Sequence, residues 1–535
     1  MTFQLQIPPQ LGLPSWPADL IELLRHLTIA CSLGALGVSA TGILALLSAV
    51  SYRLYLHPLS GIPGPRLAAI SNIWYARQVC AGRLLQVGKE IHDKFGPIVR
   101  VGPNEIWLNS EDAHREIYGL GSGFGKSDFY VATALQKPKL DWRLRPHYSD
   151  TLDLLSEYDA QRYRQQRRLI GPVYQAANLR KFELAVDQVL GEAVTRINEL
   201  DGAAIDLKEW MHIITVECLS SIVLSWSPGY LRLGSDGGSS AFSYRGWKRK
   251  TIFGLFPLVA ILETLSKAVG RAFADLWGLT FKAPKGLRLF FPAVQRKIKT
   301  RMRNFDAKKQ QKNVHEDLMA DLVKLHKERP DFTATYLHRM AITNFGAGHE
   351  TMCSALTAAM AMLGSSPDVQ DRVLRDQQGL ADAGNGNWSP APYTVAAVKE
   401  AQRLYPVIGM SLPREVPVGG THLHGVFLPA GTTVGINPVS LHRNEQIFGP
   451  DAHLFNPERW LDPAKSRAMD RCNLTWGGGA RTCPGRHLAE LILYRTVARL
   501  ILGFEVTCDM PVDEDVCFYF MAMLTGVKAR FRARK

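Results

Sequence analysis

Apolar positions along the chain recur mainly at helical spacing, over residues 176–200, 206–224, 334–363 and 485–502. Strand-like runs are few and short, at 98–101, 105–108 and 432–436. The pattern predicts a mainly α protein with a small β component. No internal repeat and no long polar linker divides residues 67–535, which read as one body. One stretch differs. Residues 27–50, LTIACSLGALGVSATGILALLSAV, carry no charge. As a helix they would extend about 36 Å, enough to cross a hydrocarbon layer of roughly 30 Å. A signal peptide fits less well, because the run is long, begins far from Met1 and follows a segment whose one basic side chain is Arg25. Prolines 58, 63 and 65 then predict a stiff, extended hinge over 51–66. The stretch 251–281 is also apolar, but Glu263, Lys267, Arg271 and Asp275 interrupt it. It predicts a partly buried helix pair, or a loop at the membrane interface, rather than a second span.

Composition narrows the class. With 46% hydrophobic and 21% charged residues, the chain is neither disordered nor of low complexity. Its net charge of +14 suits an anionic membrane surface or an acidic protein partner. No long basic run with interleaved aromatics is present, which argues against nucleic acid. Residues 51–100 contain seven Lys/Arg and two acids, so the positive-inside tendency puts everything after residue 50 in the cytosol and 1–26 in the lumen. Eight cysteines without a C-x-x-C pair fit reduced thiols rather than a disulfide framework or a zinc site. The sequons at Asn387 and Asn473 are then expected to stay unmodified.

One cysteine stands apart, in the run Trp476-Gly-Gly-Gly-Ala-Arg481-Thr-Cys483-Pro-Gly485. Glycines admit close approach of a flat, bulky group. Pro484 suits the first turn of the helix that follows. Backbone N–H groups at that helix start would favour a thiolate, and Arg481 stands ready to pair with an anion. A thiolate so placed suits axial ligation of haem iron. Read alone, the run is also compatible with a glycine-rich helix entry carrying an incidental cysteine. A nucleotide loop fits poorly, since no buried strand precedes it.

The run resembles Phe-Gly-x-Gly-x-Arg-x-Cys-x-Gly, the haem-ligand motif of the cytochrome P-450 monooxygenases, with Trp476 in place of Phe. Three further matches follow in the family's order. Glu400-Ala-Gln-Arg403 is similar to its Glu-x-x-Arg pair, and Arg459, in Pro-Glu-Arg-Trp, to the arginine that completes a buried structural triad. Alone, an i, i+3 ion pair says little, and Arg459 alone would be a surface charge. Gly346-Ala-Gly-His-Glu350-Thr351 resembles the segment in which an acid and a hydroxyl deliver protons during oxygen activation, which implies catalytic roles for Glu350 and Thr351. Two glycines inside a helix cost about 1 kcal/mol each and so need a reason. His349 falls at the variable position and reads as a bystander. The family holds the haem propionates with Trp or His and, four residues on, Arg; the matching residues are Tyr163, which departs from the pattern, and Arg167. Arg414 resembles a further propionate arginine. Solvated charges are the alternative reading for both arginines.

The resemblance covers nearly the whole chain and lies nearest microsomal enzymes of filamentous fungi, the pisatin demethylase group. It implies the P-450 fold after one transmembrane helix, a location in the endoplasmic reticulum membrane, and a cytosolic body. It also implies haem held by Cys483 as iron ligand, with Arg481, Arg414, Arg167 and Tyr163 around it. The expected reaction inserts one oxygen atom into a hydrophobic small molecule, as in secondary metabolism. With no flavin or nicotinamide module in the chain, electrons would come from NADPH through a separate reductase, docked by Arg162, Arg164 and Arg168. The rival is a membrane-anchored haem-thiolate protein without oxygenase turnover, binding haem only or rearranging a peroxide. Such a protein would not need Glu350 and Thr351.

Overall fold

The structure is a computed structural model describing residues 18–134, 136–143, 146–283, 287, 290–306, 316–382 and 390–534. Residues 1–17 of the expected lumenal segment and the Asn387 sequon lie outside the described residues. The chain falls into two units, Met1–Gly61 and Ile62–Lys535.

In the first unit, helix α1 spans Ala18–Ser51 and continues as one π-helical turn, Tyr52–Leu56. It stops where His57 turns extended (φ −66°, ψ 142°), as the residue before Pro58 must to avoid the proline ring. Among the described residues one helical window, Val38–Leu56, is long and apolar enough to cross a membrane. The uncharged run 27–50 therefore lies in a helix that outlasts it. The expected hinge over 51–66 is shorter than the prolines suggested. Residues 52–56 are helical, and Pro63 already belongs to the second unit, where its carbonyl accepts from the Arg100 backbone N–H at 2.8 Å.

The second unit contains the strands β1 (Ile98–Gly102), β2 (Glu105–Leu108), β3 (Gly125–Lys126), β4 (Ile205–Asp206), β5 (Arg414–Glu415), β6 (Thr433–Gly435), β7 (Phe504–Asp509) and β8 (Lys528–Ala533). They form one sheet in the order β1-β2-β6-β5-β3 and another in the order β7-β8-β4. β6 runs parallel to β2, and β3 pairs antiparallel with β5, which sets Lys126 opposite Arg414 across almost three hundred residues of chain.

Helices dominate, as the periodicity predicts. Those that build the site are α2 (Glu111–Tyr118), α3 (Ala160–Ile170), α4 (Glu183–Asn198), α5 (Leu207–Leu224), α6 (Ser239–Leu255), α7 (Pro257–Leu265), α8 (Lys267–Leu276), α9 (Ala334–Gly364), α10 (Pro392–Leu404) and α11 (Arg486–Gly503). Side-chain caps start several of them: Asp159 accepts from the backbone N–H groups of Gln161 and Arg162, and Thr333 from that of Tyr336. α9 runs through the core on a carpet of small residues. Gly348 is one of them: a Cβ there would stand 3.0 Å from Leu219 of α5. The apolar stretch 251–281 forms the end of α6 and the two short helices α7 and α8. One of its charges, Glu263, is paired with Arg249 (2.5 Å) and Lys137 (3.3 Å). Leu258, Leu265 and Leu276 stay exposed (65%, 59% and 80%).

Candidate active site

The Cys483 loop is closed by its own backbone: Cys483 N–H donates to Trp476 O at 2.8 Å. Gly477 (φ +77°) and Gly479 (φ +55°) occupy the left-handed region that other residues avoid. The close approach the glycines permit is to α2. A Cβ on Gly479 would stand 2.0 Å from the Tyr118 carbonyl, and one on Gly478 2.6 Å from Tyr118 Cβ. Tyr118 in turn donates to Leu412 O (2.8 Å) and accepts from Ile436 N–H (3.1 Å), tying the loop to the larger sheet. α11 begins at Arg486 with Gly485 at its N-cap, so Pro484 precedes the first turn rather than occupying it.

Cys483 is exposed at its own surface while the protein surrounds it at longer range. Burial pushes its thiol up; the Gly485 N–H, Arg167 and Arg486 pull the other way, and Glu490 adds to the rise. The donors expected from the helix start and the nearby cations are thus present, and burial outweighs them.

Near the cysteine stands a set of cations that form no salt bridge among the described residues. Arg414 is 6% exposed and, among the described residues, its guanidinium donates to Tyr130 Oη (3.2 Å) and Pro413 O (3.1 Å). Arg167 keeps Nη1 buried without a hydrogen-bond partner. Arg481 donates to the Glu157 carbonyl (2.9 Å), with its guanidinium 3.8 Å over the Tyr163 ring. Tyr163 donates its hydroxyl to Ala480 O (3.0 Å), so it holds the loop and Arg481 rather than offering a free donor. A fourth cation had no signature in the sequence. Lys126, buried opposite Arg414, donates to Leu155 O and lies 3.8 Å over the Tyr130 ring. Burial, then Arg414 and Arg481, hold its ammonium well below the usual lysine range. Among the described residues none of the four cations is ion-paired. Positive charge that is buried or half-buried without a salt-bridge partner is expensive. An open cysteine flanked by such charge fits a group that brings both a thiophilic metal and carboxylates, as haem does.

The triad is a built object. Glu400 and Arg403 are fully buried on α10 and meet in a bidentate pair, both contacts 2.8 Å. Glu400 also accepts from Arg459 Nε (2.9 Å), Trp460 Nε1 (2.9 Å) and the Asn456 N–H (3.0 Å). His442, fully buried and pushed down to about 3 by that burial, joins this cluster to the cysteine loop. Its Nδ1–H donates to Arg403 O (3.1 Å), which leaves Nε2 to accept the Leu474 N–H (2.9 Å), two residues before Trp476.

On α9, Thr351 Oγ donates to Ala347 O four residues back at 2.6 Å. Gly348 is explained by Leu219, whereas Gly346 would meet nothing within 4 Å and faces open space. Glu350, 2% exposed, has neither carboxylate oxygen in a hydrogen bond among the described residues, with His349 Nε2 3.6 Å from Oε1. Burial raises its pKa; Lys208, Ser243, His212 and Lys250 oppose the rise. It lies inside the protein beside His349 rather than at bulk solvent. Of the basic residues expected to dock a reductase, Arg164 and Arg168 are exposed. Arg162 is not free: Glu157 clasps it through two contacts of 2.6 and 2.7 Å.

The cytochrome P450 profile matches residues 63–529. The chain is 55% identical over 517 residues to cytochrome P450 monooxygenase sdnT of Sordaria araneosa, spanning 90% of this chain and 93% of that one. It is 28% identical to cytochrome P450 monooxygenase gsfF of Penicillium aethiopicum (91% and 96% covered) and 26% identical to a pisatin demethylase of Fusarium vanettenii (88% and 90%). A family profile that spans nearly the whole second unit, on a helical fold that sets an open cysteine beside unpaired cations, leaves one assignment: the chain belongs to the cytochrome P450 family and is a monooxygenase.

Proposed function

We propose that this monooxygenase inserts one atom of dioxygen into an apolar small molecule of fungal secondary metabolism, with electrons supplied from NADPH by a separate reductase. Bound at Cys483, haem would supply oxygen activation, which ligation by the cysteine sulfur would favour. The chain's residues do the rest. Cys483 Sγ would hold the iron, and Arg167, Arg414, Arg481 and Lys126 would hold the propionates, with Tyr163 steadying Arg481. Trp247 of α6 packs on Phe520, and Phe520 on Phe129 (ring centroids 5.7 and 5.4 Å apart), an apolar cluster whose character suits a hydrophobic substrate. The exposed apolar faces of α7 and α8, together with α1, suit attachment to the endoplasmic reticulum membrane with the second unit in the cytosol. Arg164 and Arg168 offer an acidic reductase a landing site whose effect falls with salt.

The observation that carries this reading is the Thr351–Ala347 bond beside Gly346. Bending its hydroxyl back onto the helix, Thr351 leaves its oxygen lone pairs facing the open side, where they would hold a water. Glu350, the neighbouring carboxyl, is the proton source for that water, and burial keeps it protonated to a higher pH than an exposed glutamate. Neither group is needed to bind haem. The test is the ratio of product formed to NADPH consumed. Thr351→Ala and Glu350→Gln are expected to retain haem and NADPH consumption while product falls on the order of 100-fold, a typical loss for a positioned proton donor, and hydrogen peroxide rises. A wild-type ratio in both variants refutes the role and leaves the Glu350–Thr351 segment as helix packing alone.

A further inference from the structure

Glu350 has no route of its own to bulk water, since its carboxyl is buried. What surrounds it is polar and comes from three elements. His349, 4% exposed, places Nε2 3.6 Å from Glu350 Oε1. Its Nδ1–H donates to Phe345 O at 2.7 Å, which fixes the tautomer and leaves the lone pair on Nε2. Ser243 of α6, half-buried, sets Oγ 3.3 Å from that Nε2. On α5 the His212 ring stands 5.7 Å from the His349 ring, with Nδ1 2.9 Å from Asp236 Oδ2. Asp236 is itself anchored by the N–H groups of Gly238 and Ser240, both 2.8 Å. The Phe291 ring meets His349 edge-on at 5.1 Å. Of the nearby cations, Lys208 donates to Ser240 O and Lys250 lies 4.4 Å over the Trp247 ring.

We propose that Ser243 and His349 form the path that returns a proton from solvent to Glu350 after each delivery, with the Asp236–His212 pair as positioning residues that hold the imidazole. This rests on Glu350 acting as the proton source. The transfer balances simply. A water at the Ser243 end gives a proton to Oγ as the Ser243 hydroxyl proton moves to His349 Nε2, and Nε2 passes its proton to Glu350 Oε1. One proton moves from water to one carboxylate, the hydroxide left at the Ser243 end passes to bulk solvent, His349 is neutral before and after, and no electron is transferred. Burial, which holds His349 down to about 3, makes its charged form a transient and not a resting state.

The path predicts how fast the Glu350 carboxyl exchanges its proton, which needs no substrate. Full-length, haem-loaded protein is moved from H2O into D2O and the protonated-carboxyl infrared band is followed in time, assigned by its loss in Glu350→Gln. Ser243→Ala and His349→Phe are each expected to slow the exchange about tenfold or more, the scale of losing one positioned transfer group. A merely structural loosening would speed it. Unchanged or faster exchange in both variants, with the haem spectrum intact, overturns the path, whatever Glu350→Gln does to product formation. If His349→Phe fails to retain haem, Ser243→Ala decides alone, because its hydroxyl is small and only half-buried. The role of Glu350 itself is read separately, from the product ratio.

Discussion

Replacing Glu400 by Gln tests what burial does to an ordinary ion pair. The carboxylate accepts from two guanidiniums, an indole and a backbone N–H, and both Glu400 and Arg403 are fully buried. An amide keeps the shape but removes the negative charge, leaves Arg403 and Arg459 facing each other without it, and turns an NH2 toward donors. Breaking one partner out of a buried pair costs about 3–5 kcal/mol, a large share of the roughly 5–15 kcal/mol that holds a domain together. The same molecule supplies the control. Asp112 and Arg115 have the same i, i+3 spacing and a 2.6 Å contact, yet are 83% and 73% exposed. Arg115→Ala is expected to cost less than about 0.5 kcal/mol. The assay is urea unfolding of both variants, followed by circular dichroism and by haem absorbance together. Because His442 connects Arg403 to Leu474, Glu400→Gln is also expected to release haem at lower urea than the helices melt. A loss below about 1 kcal/mol, or equal effects of the two variants, would refute the reasoning from burial.

Two other outcomes follow from the site and the surface. Lys126→Met removes a buried cation that faces Arg414, so the haem-free protein is expected to gain stability while haem affinity falls about tenfold or more, measured by haem transfer to apomyoglobin; a charge-assisted bond of about 1.5–3 kcal/mol sets that scale. Deleting residues 1–50 is expected to leave part of the protein on microsomes, and adding Leu258→Asp and Leu276→Asp to free it, as judged by flotation.

The long helices and the β1–β2 hairpin were legible because each rests on a local period. The Thr351 back-bond was legible for the same reason, since it spans four residues of one helix. The triad was readable as a motif, but its worth was not, because nothing in Glu-x-x-Arg distinguishes full burial from an exposed pair such as Asp112–Arg115. Lys126 escaped notice because its partner Arg414 meets it only through sheet pairing. His442 escaped because a lone histidine in a polar loop carries no periodic signal. The loop glycines were read as room for a cofactor, whereas Gly478 and Gly479 make room for Tyr118, a contact set by tertiary packing. Arg162 was read as a free surface cation because its helix position faces outward, and Glu157, five residues earlier, lies across a turn that no helical period anticipates.

The central claim is that Cys483 alone, of the eight cysteines, supplies the ligand to haem iron. The direct measurement is the difference spectrum of the reduced, carbon monoxide-bound protein, wild type against Cys483→Ala, with Cys472→Ala as a buried-cysteine control in the same region. The account predicts the thiolate band in wild type and in Cys472→Ala, and its loss in Cys483→Ala. An undiminished thiolate band in Cys483→Ala would contradict it.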